Sequence, residues 1–152
     1  TIHDNPSYNG SYERSAVTVK KILKENPTTK VVLDIHRDAI VQENGDRIAP
    51  IAEINGKKAA QVMIISGCDD GTMNMPNYLK NFRLASLLQQ QIESDNKGLT
   101  RAVLFDYRKY NQDLTTGSLL IEVGAYSNSL DQAVYSAELI GDSIAKALLS
   151  LK

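Results

Sequence analysis

The stretch VVLDIHRDAI, residues 31–40, runs from an apolar segment directly into a group of ionisable side chains. Its apolar start is typical of a β-strand buried in the middle of a sheet. Because side chains alternate along a strand, Asp34 and His36 are predicted on one face and Arg37 on the other. Only two histidines occur in the chain. One of them, His36, is predicted at the end of this strand, where functional residues collect in α/β folds.

The rest of the chain alternates between helical and strand-like patterns, which predicts an α/β domain with a central, mostly parallel sheet flanked by helices. An Asn-Gly pair at 55–56 separates two strand-like runs, 47–54 and 57–65, and predicts a hairpin with a type I′ turn. Ser11 or Ser15 is the expected N-cap of the first helix. The predicted helices cover about 14–24, 77–94 and 130–151, and the predicted strands of the main sheet include 30–35, 102–105 and 118–123.

Composition limits the classes of protein to consider. The chain has 152 residues, with 42% hydrophobic and 23% charged residues, which suits one globular domain. Its net charge is −1 and its lysines and arginines are scattered, so a nucleic-acid-binding stripe is not predicted. No apolar run approaches the roughly 18 residues of a membrane span. Its single cysteine excludes an internal disulfide.

Two residues at strand ends are the strongest candidates for chemistry. His36 suits a divalent metal, with a neighbouring carboxylate orienting its ring, although a hydrogen-bonded structural histidine is the alternative. Glu122 lies near the end of the apolar run SLLIEV, where burial would raise its pKa toward that of a general acid or base. The alternative for Glu122 is a buried ion pair with Arg101 or Arg108. The sequence alone leaves both choices open.

Polar residues near the predicted loops could bind a polar substrate or stabilise the loops themselves. The substrate-binding candidates are Arg37, Arg101, Arg108, Tyr110 and Asn111. The sequence contains no GxSxG, P-loop or GxGxxG motif, so a serine hydrolase, an NTPase and a dinucleotide enzyme have no support.

Several separate motifs, in the right order, resemble the stage II sporulation protein P family. Members of this family are zinc-dependent N-acetylmuramoyl-L-alanine amidases of endospore-forming bacteria. The resemblance covers nearly the whole chain. The matching segments are NPSYNGSY, ERSAVTVKKILKENP, LDIHRDA at 33–39, GKKAAQVM at 56–63, YNQDL at 110–114 and LLIEVGAYSNSLDQA at 119–133.

The resemblance implies a peptidoglycan hydrolase with one zinc ion, held by two histidines and a glutamate, and a second glutamate as base. His36 matches a zinc ligand and Glu122 matches the catalytic base. The bond cleaved would be the amide between N-acetylmuramic acid and L-alanine of the stem peptide during engulfment, with a possible endopeptidase activity besides. The arginines would pair with carboxylates of the stem peptide.

One part of the family pattern is missing from the sequence. The family's first ligands lie in a motif of the HTHTSE type, which this chain does not contain, and His3 does not match it. We therefore expect residues 1–152 to be a single, N-terminally incomplete amidase domain that lacks the first strand and helix of the family fold. Such a chain would bind zinc weakly. The alternative function is a non-catalytic peptidoglycan-binding or scaffolding module with an incomplete zinc site.

The family resemblance also implies a cellular setting. The parent protein is expected to be exported and membrane-anchored in the space between mother cell and forespore. Stage II sporulation protein D is the expected partner.

Overall fold

The computed structural model describes residues 2–151, which fold as an α/β domain with three helices and six strands in this range. The helices are α1 (Ser11–Glu25), α2 (Tyr78–Asp95) and α3 (Leu130–Leu149). The strands are β1 (Val32–Asp38), β2 (Ile51–Ile54), β3 (Lys57–Ala60), β4 (Val62–Gly67), β5 (Leu104–Asp106) and β6 (Ser118–Ala125). None of these helices is long and apolar enough to cross a lipid bilayer.

Four strands form the central sheet in the order β1-β6-β4-β5. The pairs β1–β6 and β4–β5 are parallel, and only β6–β4 is antiparallel. The predicted mostly parallel sheet flanked by helices is therefore confirmed. Parallel pairing of β1 and β6 brings the carboxyl ends of both strands to the same edge of the sheet, as the candidate residues require.

Helices α2 and α3 pack on one face of this sheet and form the main core with it. Helix α3 begins with a capping box, in which Ser129 and Gln132 satisfy each other's backbone N–H groups. In β1 and β6 every second side chain faces this core, and the side chains between them point to the other face of the sheet. The core residues from both layers include Leu33, Ile64, Leu88, Ile121 and Ile140.

The prediction that the first strand is central and buried is wrong. β1 lies at the edge of the sheet, and 57% of Ile35 is exposed. The strand that is buried along its whole length is β6. A continuous apolar run identifies a strand, but it does not say whether one or two neighbours pair with it.

The Asn-Gly hairpin is confirmed, with φ of 51° at Asn55 and 74° at Gly56. The second run of that hairpin, however, divides into two strands around Gln61. β3 pairs with β2, whereas β4 joins the central sheet, and the carbonyl of Gln61 accepts a hydrogen bond from Gly124 N at 3.0 Å. Gln61 marks the change of sheet, but a single polar residue does not interrupt a strand-like pattern in the sequence.

Helix α1 starts without the predicted serine cap. Gly10 is its N-cap, with φ of 81° and no side-chain hydrogen bond from a cap. The guanidinium of Arg14 instead donates to the carbonyls of His3, at 2.6 Å, and of Ser7. These bonds attach the loop before the helix to its first turn.

Candidate active site

His36 and Glu122 are direct neighbours in the parallel β1–β6 pair. Paired residues of adjacent strands project to the same face of a sheet, so the two side chains share the face opposite α2 and α3. Their separation along the sheet is one strand spacing, about 4.8 Å between backbones. The structure thus brings together the two residues that the sequence singled out from segments 86 positions apart.

The imidazole of His36 is held by a carboxylate from its own strand. His36 Nε2 lies 3.1 Å from Asp34 Oδ1, and about 40% of each side chain is exposed. This arrangement follows from strand alternation, which the sequence predicted. A carboxylate that binds one nitrogen of an imidazole orients the ring and increases the basicity of the other nitrogen, as around many metal-ligating histidines.

Glu122 is buried and incompletely hydrogen-bonded. Only 8% of the residue is exposed, and its Oε2 atom has no hydrogen-bond partner among residues 2–151. Burial and the nearby charge of Asp38 raise the pKa of Glu122, while His36 and Arg101 partly oppose that rise. A buried carboxyl group with a raised pKa and a free oxygen is suited to proton transfer near neutral pH.

The alternative in which an arginine neutralises Glu122 is not formed. Arg101 donates to Asp38 Oδ2 at 2.8 Å, and this pair is about three-quarters buried. Arg108 pairs with Asp106 at 3.2 Å. Arg101 therefore affects Glu122 only through its positive charge, which lowers the pKa of Glu122, while the charge of Asp38 raises it.

The predicted substrate-binding residues separate into different environments. Arg101 belongs to the charged network around Glu122, whereas Arg37 lies on the exposed side of β1 next to Ile35. Arg108 also donates to the hydroxyl of Tyr110 at 3.2 Å. The amide of Asn111 donates to atoms of α1, so that residue holds the helix against the loop. Their roles toward a substrate remain predictions.

Tyr12 is a site residue that the sequence analysis missed. Its ring lies 6.4 Å from the imidazole of His36 and 4.9 Å from the ring of Tyr110, measured between centroids. Burial, followed by the charge of Asp34, raises the pKa of Tyr12 far above its usual range, so the phenol stays protonated. Tyr12 ends the segment NPSYNGSY, so its place in the family resemblance was the signal that could have identified it.

The described residues do not by themselves assemble a complete metal site. Within 2–151, no group of three or more His, Cys, Asp or Glu side chains is placed to hold an ion. His3 lines the same cavity as His36 and Asp34, of about 430 Å³, but its Nε2 is 3.0 Å from Thr18 Oγ1. His36 is thus one credible ligand, and Glu122 lies next to it with an unpaired oxygen.

Comparison with known proteins identifies the family. The family model described as Stage II sporulation protein P matches residues 1–145. The chain belongs to the stage II sporulation protein P family. Stage II sporulation protein P of Bacillus subtilis (strain 168) is 31% identical over 141 residues, which is 90% of this chain. The chain spans only 33% of that relative's length.

A solved structure shows a similar fold. The N-acetylmuramoyl-L-alanine amidase AmiC2 of Nostoc punctiforme superposes with a TM-score of 0.52, covering 85% of this chain and 63% of that one. Sequence identity between the two is 16%, so this likeness concerns the fold. It agrees with the amidase-like α/β architecture predicted for this member of the stage II sporulation protein P family.

Proposed function

We propose that this member of the stage II sporulation protein P family is the catalytic portion of a peptidoglycan hydrolase. Its reaction would be cleavage of the amide between N-acetylmuramic acid and L-alanine of the stem peptide. The observation that carries the proposal is the pairing of His36 with Glu122 at one end of the sheet, where Glu122 is buried and keeps an oxygen unpaired. An amidase-like fold and a family named for sporulation support the same function.

Glu122 would move the proton in this reaction. As a carboxylate it accepts a proton from the attacking water, and as a carboxylic acid it then passes that proton to the leaving amine of L-alanine. A raised pKa serves both steps, because the group has to exchange its proton readily near neutral pH. Arg101 and Asp38 set the local charge, and the ring of Tyr12, 6.4 Å from that of His36, borders the site.

Zinc is part of the proposal, with His36 as one of its ligands. The remaining ligands would come from the HTHTSE-type segment that the family resemblance implies, because residues 2–151 lack a three-ligand cluster. When bound, zinc would lower the pKa of a water molecule and polarise the scissile carbonyl. We use the term extended protein for this chain preceded by such a segment. Export, a membrane anchor and partnership with stage II sporulation protein D are further elements of the proposal.

Assays on purified peptidoglycan test the proposed function. We expect the extended protein to release new amino termini on L-alanine, detected by mass spectrometry of the soluble products, and to stop doing so when a chelator removes the metal. Restored activity on addition of zinc completes the expected result. Cleavage within the peptide or between the sugars, without release at L-alanine, would contradict the amidase assignment.

The missing ligand cluster also favours a second candidate, a peptidoglycan-binding module without catalysis. These two functions separate in the same assay. If the extended protein sediments with peptidoglycan but releases no product, with or without zinc, the binding module is correct.

Zinc affinity provides a prediction for the chain itself. Residues 1–152 alone should bind zinc only weakly, because one imidazole supplies far less free energy than a set of three ligands. Calorimetry with zinc chloride is the measurement, and His36→Ala should abolish the weak signal, whereas His3→Ala should leave it. Tight one-to-one binding by residues 1–152 would show that the ligand set is already complete in this chain.

A further inference from the structure

A groove of about 510 Å³ runs between α1 and the loop 109–114, and one of its walls is Tyr12. The same Tyr12 lines the cavity that contains His36 and Asp34. Its ring is therefore shared by the two depressions. A chain-like ligand whose reacting bond lies at His36 would have to cross Tyr12 to continue into the groove.

The Tyr12 wall is held rigidly. Asn111 Nδ2 donates to the carbonyl of Tyr12 at 3.1 Å and to Ser15 Oγ at 2.8 Å, which fastens the first turn of α1 to the loop. Tyr110 and Asn111 both have positive φ, 42° and 56°. Such a backbone is costly for a bulky residue like Tyr110, and strain of this kind concentrates at functional sites. Here it places the Tyr110 ring 4.9 Å from that of Tyr12.

The groove combines apolar walls with charges of both signs. Val17, which is 70% exposed, lies on the α1 side together with Glu13 and Lys20. On the opposite side Lys109 pairs with Asp113 at 3.4 Å. Among residues 2–151, neither Glu13 nor Lys20 belongs to a side-chain ion pair. A ligand that matches this surface is a peptide with both a carboxylate and an amine, rather than an uncharged sugar chain.

We propose that the groove between α1 and the loop 109–114 is the subsite for the stem peptide of peptidoglycan, with Tyr12 as a substrate-binding residue at its entrance. This rests on the proposed function. Lys20 binds a carboxylate of the peptide, Glu13 faces the amine of its diamino acid, and the Tyr12 and Tyr110 rings support the peptide backbone. The glycan strand then remains outside the groove.

Binding to the chain itself tests this subsite without any need for hydrolysis. The probe is the tripeptide of L-alanine, D-glutamate and meso-diaminopimelate, titrated into residues 1–152 and followed by amide chemical shifts. We expect shifts confined to α1 and the loop 109–114. Lys20→Ala should weaken binding about threefold to fivefold, in line with an exposed ion pair, and Tyr12→Ala about tenfold. Lys58→Ala, on the distant hairpin, is the matched control and should change nothing.

A second probe separates the peptide from the sugar. When the D-glutamate carboxylate is replaced by an amide, wild-type affinity should fall to that of Lys20→Ala, and Lys20→Ala should cause no further loss. Shifts outside the groove, equal binding by Lys20→Ala, or Tyr12-dependent binding of a peptide-free glycan would overturn the proposal. These outcomes do not depend on catalysis. An extended protein that hydrolyses nothing would contradict the proposed function, whereas the peptide titration would still test whether the groove binds the stem peptide.

Discussion

Glu122→Gln should lower peptidoglycan hydrolysis by the extended protein by about 10²–10⁴-fold, the usual contribution of a general base. Glutamine keeps the shape of the side chain but cannot accept the proton from water. We expect the loss in kcat, with little change in KM, because the amide occupies the same volume beside His36. Initial rates of product release on soluble muropeptides provide the measurement.

The free energy of unfolding of Glu122→Gln provides a control, because the direction of its difference from wild type at each pH is predicted. The pKa of Glu122 is raised in the folded protein, so the folded state holds the proton more tightly than the unfolded chain. Wild-type stability should therefore fall as the pH rises from the ordinary glutamate value through the raised one. Above that window, Glu122→Gln should be more stable than wild type by about 1–3 kcal/mol, because no unpaired charge is buried.

Below the window both carboxyl and amide are neutral, and the difference in unfolding free energy should largely disappear. Urea titrations at several pH values measure it. A variant that is destabilised at neutral pH while it retains full activity would remove Glu122 from the mechanism and assign it a structural role.

Arg101→Gln should reduce activity at neutral pH by about threefold to tenfold and destabilise the fold by about 1–3 kcal/mol. Arg101 balances Asp38 and lowers the pKa of Glu122 through its positive charge. Without it, the unbalanced Asp38 carboxylate raises the pKa of Glu122 further, so less of the base is ionised at neutral pH. The acid limb of the pH–rate profile of kcat/KM should move to higher pH.

Asp38→Asn should move that limb in the opposite direction, because it removes the charge that raises the pKa of Glu122. The double variant should lie close to wild type in its pH profile and recover part of the lost stability, as expected for two groups in direct contact. Identical shifts in both single variants would mean that the pair acts by positioning a loop rather than by its charge. Lys146→Gln, which removes an ion pair with Asp95 between α2 and α3, is the matched control.

Local patterns in the sequence were sufficient for most of the secondary structure. The turn at Asn55-Gly56 requires positive φ at both positions, and this demand is local, so the hairpin was predictable. Helix α2 was predicted over 77–94 and is found at Tyr78–Asp95, because its apolar face repeats at helical spacing. The change of sheet at Gln61 escaped prediction, since only this one residue separates β3 from β4 and the two strands differ in their pairing partners.

The sequence by itself identified the family to which the chain belongs and selected His36 and Glu122 as the candidates for chemistry. His36 and Glu122 stood out because a charged group at the end of an apolar strand is costly unless it has a function. Tertiary structure alone decided that β1 is an edge strand, that Arg101 pairs with Asp38 and leaves Glu122 unpaired, and that Tyr12 reaches the site. Each of these depends on contacts between segments far apart in the chain, whose spacing no local periodicity records.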